Sequence, residues 1–191
     1  GLNGCITNPP SFVNAAIGDY HLQAVSPCRD AGDDTAVRSS VDLDGDPRVL
    51  NGVDMGADEY MTAPSLNVPS NQVVNVVYGD PNPAALAVLL GNTGGMPYVW
   101  SHSVTYSAAG TGWLTVTPET GVVGALSDVE LLLNVDLSGL GVGNYAATNE
   151  LSAGAATNTP QQFVVTLTIT PAPTTGSIEG TVSYAGAETG V

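Results

Sequence analysis

The sequence predicts an all-β protein whose main body is an immunoglobulin-like β-sandwich. Three observations carry that reading. Eight runs rich in Val, Leu, Thr and aromatic residues recur between residues 65 and 170. Turn chemistry separates them, as in Gly79-Asp80-Pro81-Asn82-Pro83, Asn92-Thr93-Gly94-Gly95 and Ser138-Gly139-Leu140-Gly141. Across residues 1–60, no apolar stretch keeps a helical period for more than about two turns.

The expected strands fall at 65–68, 72–78, 84–92, 98–106, 113–117, 129–135, 144–153 and 161–170. The last is the clearest. Phe163, Val165, Leu167 and Ile169 share one face, and Val164, Thr166, Thr168 and Thr170 share the other. That alternation marks a strand with one buried face. Residues 61–69 read MTAPSLNVP, a proline-punctuated connector, and no basic residue follows it. The boundary therefore falls near residue 62. It separates a terminal segment, 1–62, from the sandwich, 63–171.

The terminal segment consists of short apolar pieces between turn signals such as Asn8-Pro9-Pro10, Ala31-Gly32-Asp33-Asp34 and Asp44-Gly45-Asp46-Pro47. With so few large apolar side chains it is marginal alone, and it caps a larger body. At the other end, 172–191 holds a stiff linker and then a terminal β-strand extension. Ser177, Ile178, Gly180, Val182 and Tyr184 lie in that last strand-like run. A hairpin-sized piece needs a partner, so these residues are the expected assembly strand.

Composition restricts function next. The formal net charge is −15, with three arginines and no lysine. Nucleic-acid binding needs clustered basic residues and is excluded, and docking on an anionic membrane is disfavoured. No run reaches the ~18 apolar residues of a membrane span, so no insertion is expected. Net charge divides as about −7 before the boundary and −8 after it, which suits solubility better than an acidic docking patch. The first residues have no basic stretch followed by an apolar run, so the chain reads as a processed product or an excerpt. Cys5 and Cys28 both precede residue 30. A disulfide between them fits an extracellular or cell-surface setting, and two buried thiols are the alternative.

Candidate chemistry is sparse. The two histidines, His21 and His102, lie on opposite sides of the boundary. No nucleophile–histidine spacing, phosphate loop or zinc-protease motif is present, so no enzyme is expected and no cofactor beyond a possible calcium ion. Asp42, Asp44 and Asp46 alternate beside a glycine and form the candidate calcium loop. Pro47 and Val53 stand where an EF-hand would need glycine and an acidic residue, so any site is simpler; an Asx-rich turn is the competing account. Arg48 is expected to pair locally with an aspartate. Trp100 and Tyr98 are candidate carbohydrate-binding platforms, although strand residues of this kind also fill cores.

Three stretches resemble known families. NPPSFVNAAIGDYHLQAVSPCRDAGDD and VDLDGDPRVLNGVDMGADEY, within residues 8–60, resemble the end of secreted bacterial right-handed parallel β-helix proteins of the choice-of-anchor Q type. That resemblance implies β-helix rungs and a cap over residues 1–62. Residues 65–170, with GNTGG at 91–95 and Gly112-Trp113-Leu114-Thr115-Val116-Thr117-Pro118, resemble BACON-type bacterial surface domains. GSIEGTVSYAGAETGV at 176–191 resembles the opening of a carboxypeptidase-regulatory-like repeat. Together they imply a structural or adhesive segment of a bacterial surface protein. Its partners would be itself, as a filament subunit joined by strand addition, or neighbouring domains of a longer chain. The alternative is a carbohydrate-binding accessory module that meets glycans beside a β-helix enzyme.

Overall fold

The computed structural model describes residues 6–107, 110–174 and 180. The terminal segment opens with β1 (Phe12–Asn14) and β2 (Asp19–Leu22), paired antiparallel. A 3₁₀ turn, Ala15–Ile17, joins them and ends at Gly18, whose φ of 84° places it in the left-handed region. Phe12 and Tyr20 meet edge to face at 5.3 Å. Further on, Asp33 caps a second 3₁₀ turn, Asp34–Ala36, by accepting the Thr35 N–H. An isolated bridge joins Val41 to Pro47.

This arrangement corrects the expectation of β-helix rungs. A rung stacks parallel strands, and a parallel pair needs a crossover of about a dozen residues or more. Here four residues separate β1 from β2, a length that permits only an antiparallel return. The Asp- and Gly-rich motifs build turns, and among the described residues of this segment they stack no parallel strands.

The sandwich follows the expected plan. Its strands are β3 (Leu66–Asn67), β4 (Gln72–Val77), β5 (Leu86–Asn92), β6 (Tyr98–Tyr106), β7 (Leu114–Thr117), β8 (Thr120–Val123), β9 (Asp128–Val135), β10 (Gly143–Ser152) and β11 (Gln161–Thr170). One sheet runs β4-β11-β10-β6-β8 and the other β3-β5-β9-β7. All neighbours pair antiparallel except β4 and β11. Each of the eight expected runs holds a strand, and β8 is an addition.

Alternation makes the core. Phe163, Val165, Leu167 and Ile169 are all buried, and they meet Leu90, Leu131 and Leu133 from the facing sheet. Trp100, Ala147 and Leu151 complete the centre. Among the described residues of the terminal segment the buried apolar side chains are Leu22, Cys28 and Val53. Such a small core explains its dependence on hydrogen-bonded loops. Among the described residues, no helix is long and apolar enough to cross a membrane.

The connector is tied to the sandwich. Gly95 N–H donates to both the backbone oxygen (3.1 Å) and the hydroxyl (2.6 Å) of Thr62. Asn158 holds Leu66 from both sides, accepting its N–H and donating to its carbonyl at 2.8 Å each. Thr157 N–H reaches the Pro64 carbonyl at 3.1 Å.

Candidate functional site

The densest group of ionisable side chains lies on the terminal segment. Along β2, Asp19 is half-buried, Tyr20 and His21 are exposed and Leu22 is buried. Asp19 and His21 are two residues apart on an extended strand, so they share a face. His21 Nδ1 meets Asp19 Oδ1 at 2.6 Å, and the His21 N–H donates to the same oxygen at 3.2 Å. The other ring nitrogen, Nε2, lies 2.5 Å from Asp44 Oδ2.

Two loops complete the group. Asp42 folds the first by accepting the N–H groups of Asp44 and Asp46 on one oxygen, each at 2.9 Å. Its second oxygen takes the Glu59 N–H at 3.1 Å. Asp42 is thereby committed to its own backbone, while Asp44 is free to face His21. The second loop carries Asp58, which accepts the Leu22 N–H at 3.4 Å. His21, Asp44 and Asp58 each present a ligand-type atom, all within 4.8 Å of one another. A cavity of about 400 Å³ opens beside them, walled by Phe12, Tyr20, Leu22, Leu43 and Met55.

The charges reinforce one another. Hydrogen bonds that the ring donates to Asp19 and then Asp44, with the field of Asp58, push His21 up to about 9. The same contact with His21 holds Asp19 below its usual range. Asp58 is raised, chiefly by burial.

Beneath this group lies a buried ion pair. Arg48 donates to Glu59 at 3.1 Å and to the carbonyls of Asp54, Gly56 and Asp58. The expected aspartate partner is therefore a glutamate side chain plus a loop backbone. Glu59 also accepts the N–H groups of Leu50 and Asp54, and burial raises its pKa. Asp54, also buried, accepts from the N–H groups of Asp30 and Tyr60 at 2.6 Å each. These acidic residues fold the loops.

The other predicted residues lie apart. Asp42, Asp44 and Asp46 share one turn, yet Asp44 gathers with His21 and Asp58. Trp100 and Tyr98 are 1% and 2% exposed, which corrects the carbohydrate-platform expectation: neither ring offers a face to a sugar. Both point inward because β6 alternates with its odd-facing neighbours Val99 and Ser101 outward. Cys28 is buried, and its expected disulfide partner Cys5 lies outside the described residues. Of the expected assembly strand, Ser177, Ile178, Val182 and Tyr184 lie outside them too, and Gly180 stands alone. His102 is part of the sandwich, with Nε2 at 2.9 Å from Asn149 Oδ1. Sequence reasoning passed over His21 and Asp58 as ligands. The Asp-Tyr-His spacing was the available signal for the first, because it sets both polar side chains on one strand face.

No family model matches this chain, and no curated protein matches it. Solved structures do. A periplasmic chaperone, SfaE, shares 11% identity over 55% of this chain and 57% of its own, with a TM-score of 0.40. PapD-like domain 7 of human CEP192 shares 13% over 59% of this chain and 89% of its own, at 0.44. The E. coli chaperone DraB shares 11% over 56% and 55%, at 0.40. The chain thus spans well under two thirds of either chaperone. The choice-of-anchor Q resemblance is overturned by the terminal segment itself, where β1 and β2 fold back as an antiparallel hairpin and the described residues stack no parallel rungs.

Proposed function

We propose that this chain is a non-catalytic structural segment of an extracellular or cell-surface protein that joins its neighbour by β-strand addition. The edge of the larger sheet carries the proposal. Among the described residues β4 has a strand partner on one side only, β11, and its other side is open for pairing up to Val77, whose N–H and carbonyl bond to Asp80. Beside that edge runs an apolar cleft of about 220 Å³, lined by Val74, Leu86, Leu133, Val135 and Val165. Val73 on the same strand is 66% exposed. An incoming strand would satisfy the edge backbone and drop alternate apolar side chains into the cleft.

Chain composition supports this use. Lysine on edge strands is a common guard against unwanted pairing, and this sequence has none. The run containing Ser177, Ile178, Gly180, Val182 and Tyr184 is the proposed donor, entering the edge of a second copy or of the next domain. The ionisable groups argue for structure over chemistry. His102 is engaged with an amide and His21 with carboxylates, and among the described residues neither is hydrogen-bonded to a hydroxyl or thiol side chain.

Sedimentation velocity over a hundredfold concentration range tests the proposal on the full chain, Val73→Lys and a chain ending at Pro173. Concentration-dependent oligomers that both changes abolish are expected. A full chain that stays monomeric, or oligomers that survive both changes, would overturn it.

A further inference from the structure

We infer that His21, Asp44 and Asp58 form a binding site for one divalent transition-metal ion, with zinc the best-suited of the common ones. The three residues come from separate parts of the terminal segment: strand β2, the turn built by Asp42, and the loop after Gly56. Their convergence within 4.8 Å is thus a product of folding and not of one acidic run.

The histidine distinguishes this group from an ordinary acidic cluster. Metal-binding imidazoles commonly give their second N–H to a carboxylate, which fixes the ring and raises its basicity. Asp19 stands in that position on Nδ1 at 2.6 Å, leaving Nε2 against Asp44, with a ligand-type oxygen of Asp58 in the same group of atoms within 4.8 Å. The backbone holds the carboxylates from behind. Asp42 fixes the N–H of Asp44, and Arg48 holds the carbonyl of Asp58 at 3.2 Å.

The donor set selects the ion. One imidazole nitrogen and two carboxylate oxygens suit zinc and its first-row neighbours, whereas calcium prefers six to eight oxygens. For bonds of about 2.0–2.1 Å in tetrahedral geometry, ligand atoms sit about 3.3 Å apart. The 2.5 Å contact between Nε2 and Asp44 must open by about 0.8 Å, a small rotation for an exposed carboxylate. On binding, the ion takes the place of the Nε2 proton, which passes to solvent. The adjoining cavity leaves room for a water as the fourth ligand. The chain's surplus of negative charge draws cations to it. Such an ion would clip the hairpin to both loops in a segment whose buried apolar residues are few.

The test uses the full chain, stripped with chelator and dialysed, then titrated calorimetrically with zinc chloride and separately with calcium chloride. One zinc per chain is expected, with a higher melting temperature, affinity that rises with pH, and no displacement by calcium. His21→Ala and Asp58→Asn should each weaken zinc binding at least tenfold. Asp19→Asn, a positioning change, should weaken it about 10–100-fold, and His102→Ala should leave it unchanged. In the unmutated chain, manganese should broaden the ring-proton resonances of His21 and spare those of His102, a readout that does not depend on any variant folding. Absence of saturable zinc binding, binding indifferent to His21→Ala in a folded variant, or broadening centred on His102 would each overturn the site.

Discussion

Trp100 lies directly across from Gly121 in the β6–β8 pair, and its indole covers the place where a side chain would stand. A Cβ built on Gly121 falls 3.2 Å from Trp100 Nε1. Trp100 is buried among the core residues and has nowhere to retreat.

That relationship fixes the sign of a substitution. In an ordinary strand, replacing glycine by valine is favourable, because glycine loses more backbone entropy and packs nothing. Here Gly121→Val should instead destabilise by about 1–3 kcal/mol through overpacking, with Gly121→Ala smaller in the same direction. Urea denaturation followed by tryptophan fluorescence checks it. In a Trp100→Phe background the penalty should shrink, since the smaller ring frees the space. A stabilised Gly121→Val would contradict the packing.

The same pair shows what the sequence could and could not reveal. The eight expected strands carry alternating apolar residues, and their periodicity survives folding because each buries one face. β8 reads Thr-Gly-Val-Val, and its glycine looks like a turn when no partner is visible. Only the Trp100 ring across the ladder explains it. The terminal segment departs from the expected rungs for a related reason. Its Asp, Asn and Gly motifs encode local turns, and turns alone do not say whether the strands between them stack in parallel or fold back. At the site, Asp42 and Asp44 were legible as an alternating acidic turn. Asp58 and His21 join them through contacts 14 and 23 residues from Asp44 in sequence, which no local pattern announces.

The connector offers a second test. A Cβ on Gly94 would run into the Ala63 carbonyl and lie 2.6 Å from Pro64 Cα, both rigid backbone. One on Gly95 would meet most closely the end of the Leu50 side chain, which can move, with Thr62 Oγ1 at 3.0 Å and the Thr62 backbone nitrogen at 3.1 Å. Gly94→Ala should therefore cost more than Gly95→Ala, on the order of 1–3 kcal/mol against less than that. Thermal melts give the ranking. Limited proteolysis should show faster cleavage between residues 61 and 65 in Gly94→Ala, and equal rates would contradict the tied connector.

Acid should act on the turn after β9. Asp136 accepts the Ser138 N–H at 3.0 Å and an Asn82 amide N–H at 3.4 Å, and these bonds lower its pKa from the ordinary 3.8. A lowered folded-state pKa means the carboxylate stabilises the fold above about 3.8 and that this is lost as pH falls through the lower, folded value. Carboxyl-carbon NMR should place the Asp136 midpoint below 3.8. Asp136→Asn should remove this part of the acid dependence, and a midpoint at or above 3.8 would contradict the turn geometry.

Arg48 and Glu59 give the largest expected effect. The Glu59 side chain is 1% exposed and Arg48 is its cationic partner at 3.1 Å. Arg48 also holds three loop carbonyls, so one guanidinium organises the whole stretch from Asp54 to Asp58. Replacing it with methionine keeps much of the apolar stem but leaves the buried Glu59 carboxylate without its cationic partner. Breaking a buried pair in this way costs about 3–5 kcal/mol. Both tryptophans lie in the sandwich, so their fluorescence would under-report a loss confined to the terminal segment. Hydrogen exchange reads it directly. The amides of Leu50 and Asp54, which donate to Glu59, should lose protection in Arg48→Met. Adding Glu59→Gln should restore much of it, because the neutral amide oxygen still accepts while the stranded charge is gone. Protection that the single change leaves intact would mean the backbone bonds alone hold the loop. Persistent loss in the double variant would instead assign the cost to the Arg48 contacts with the loop carbonyls.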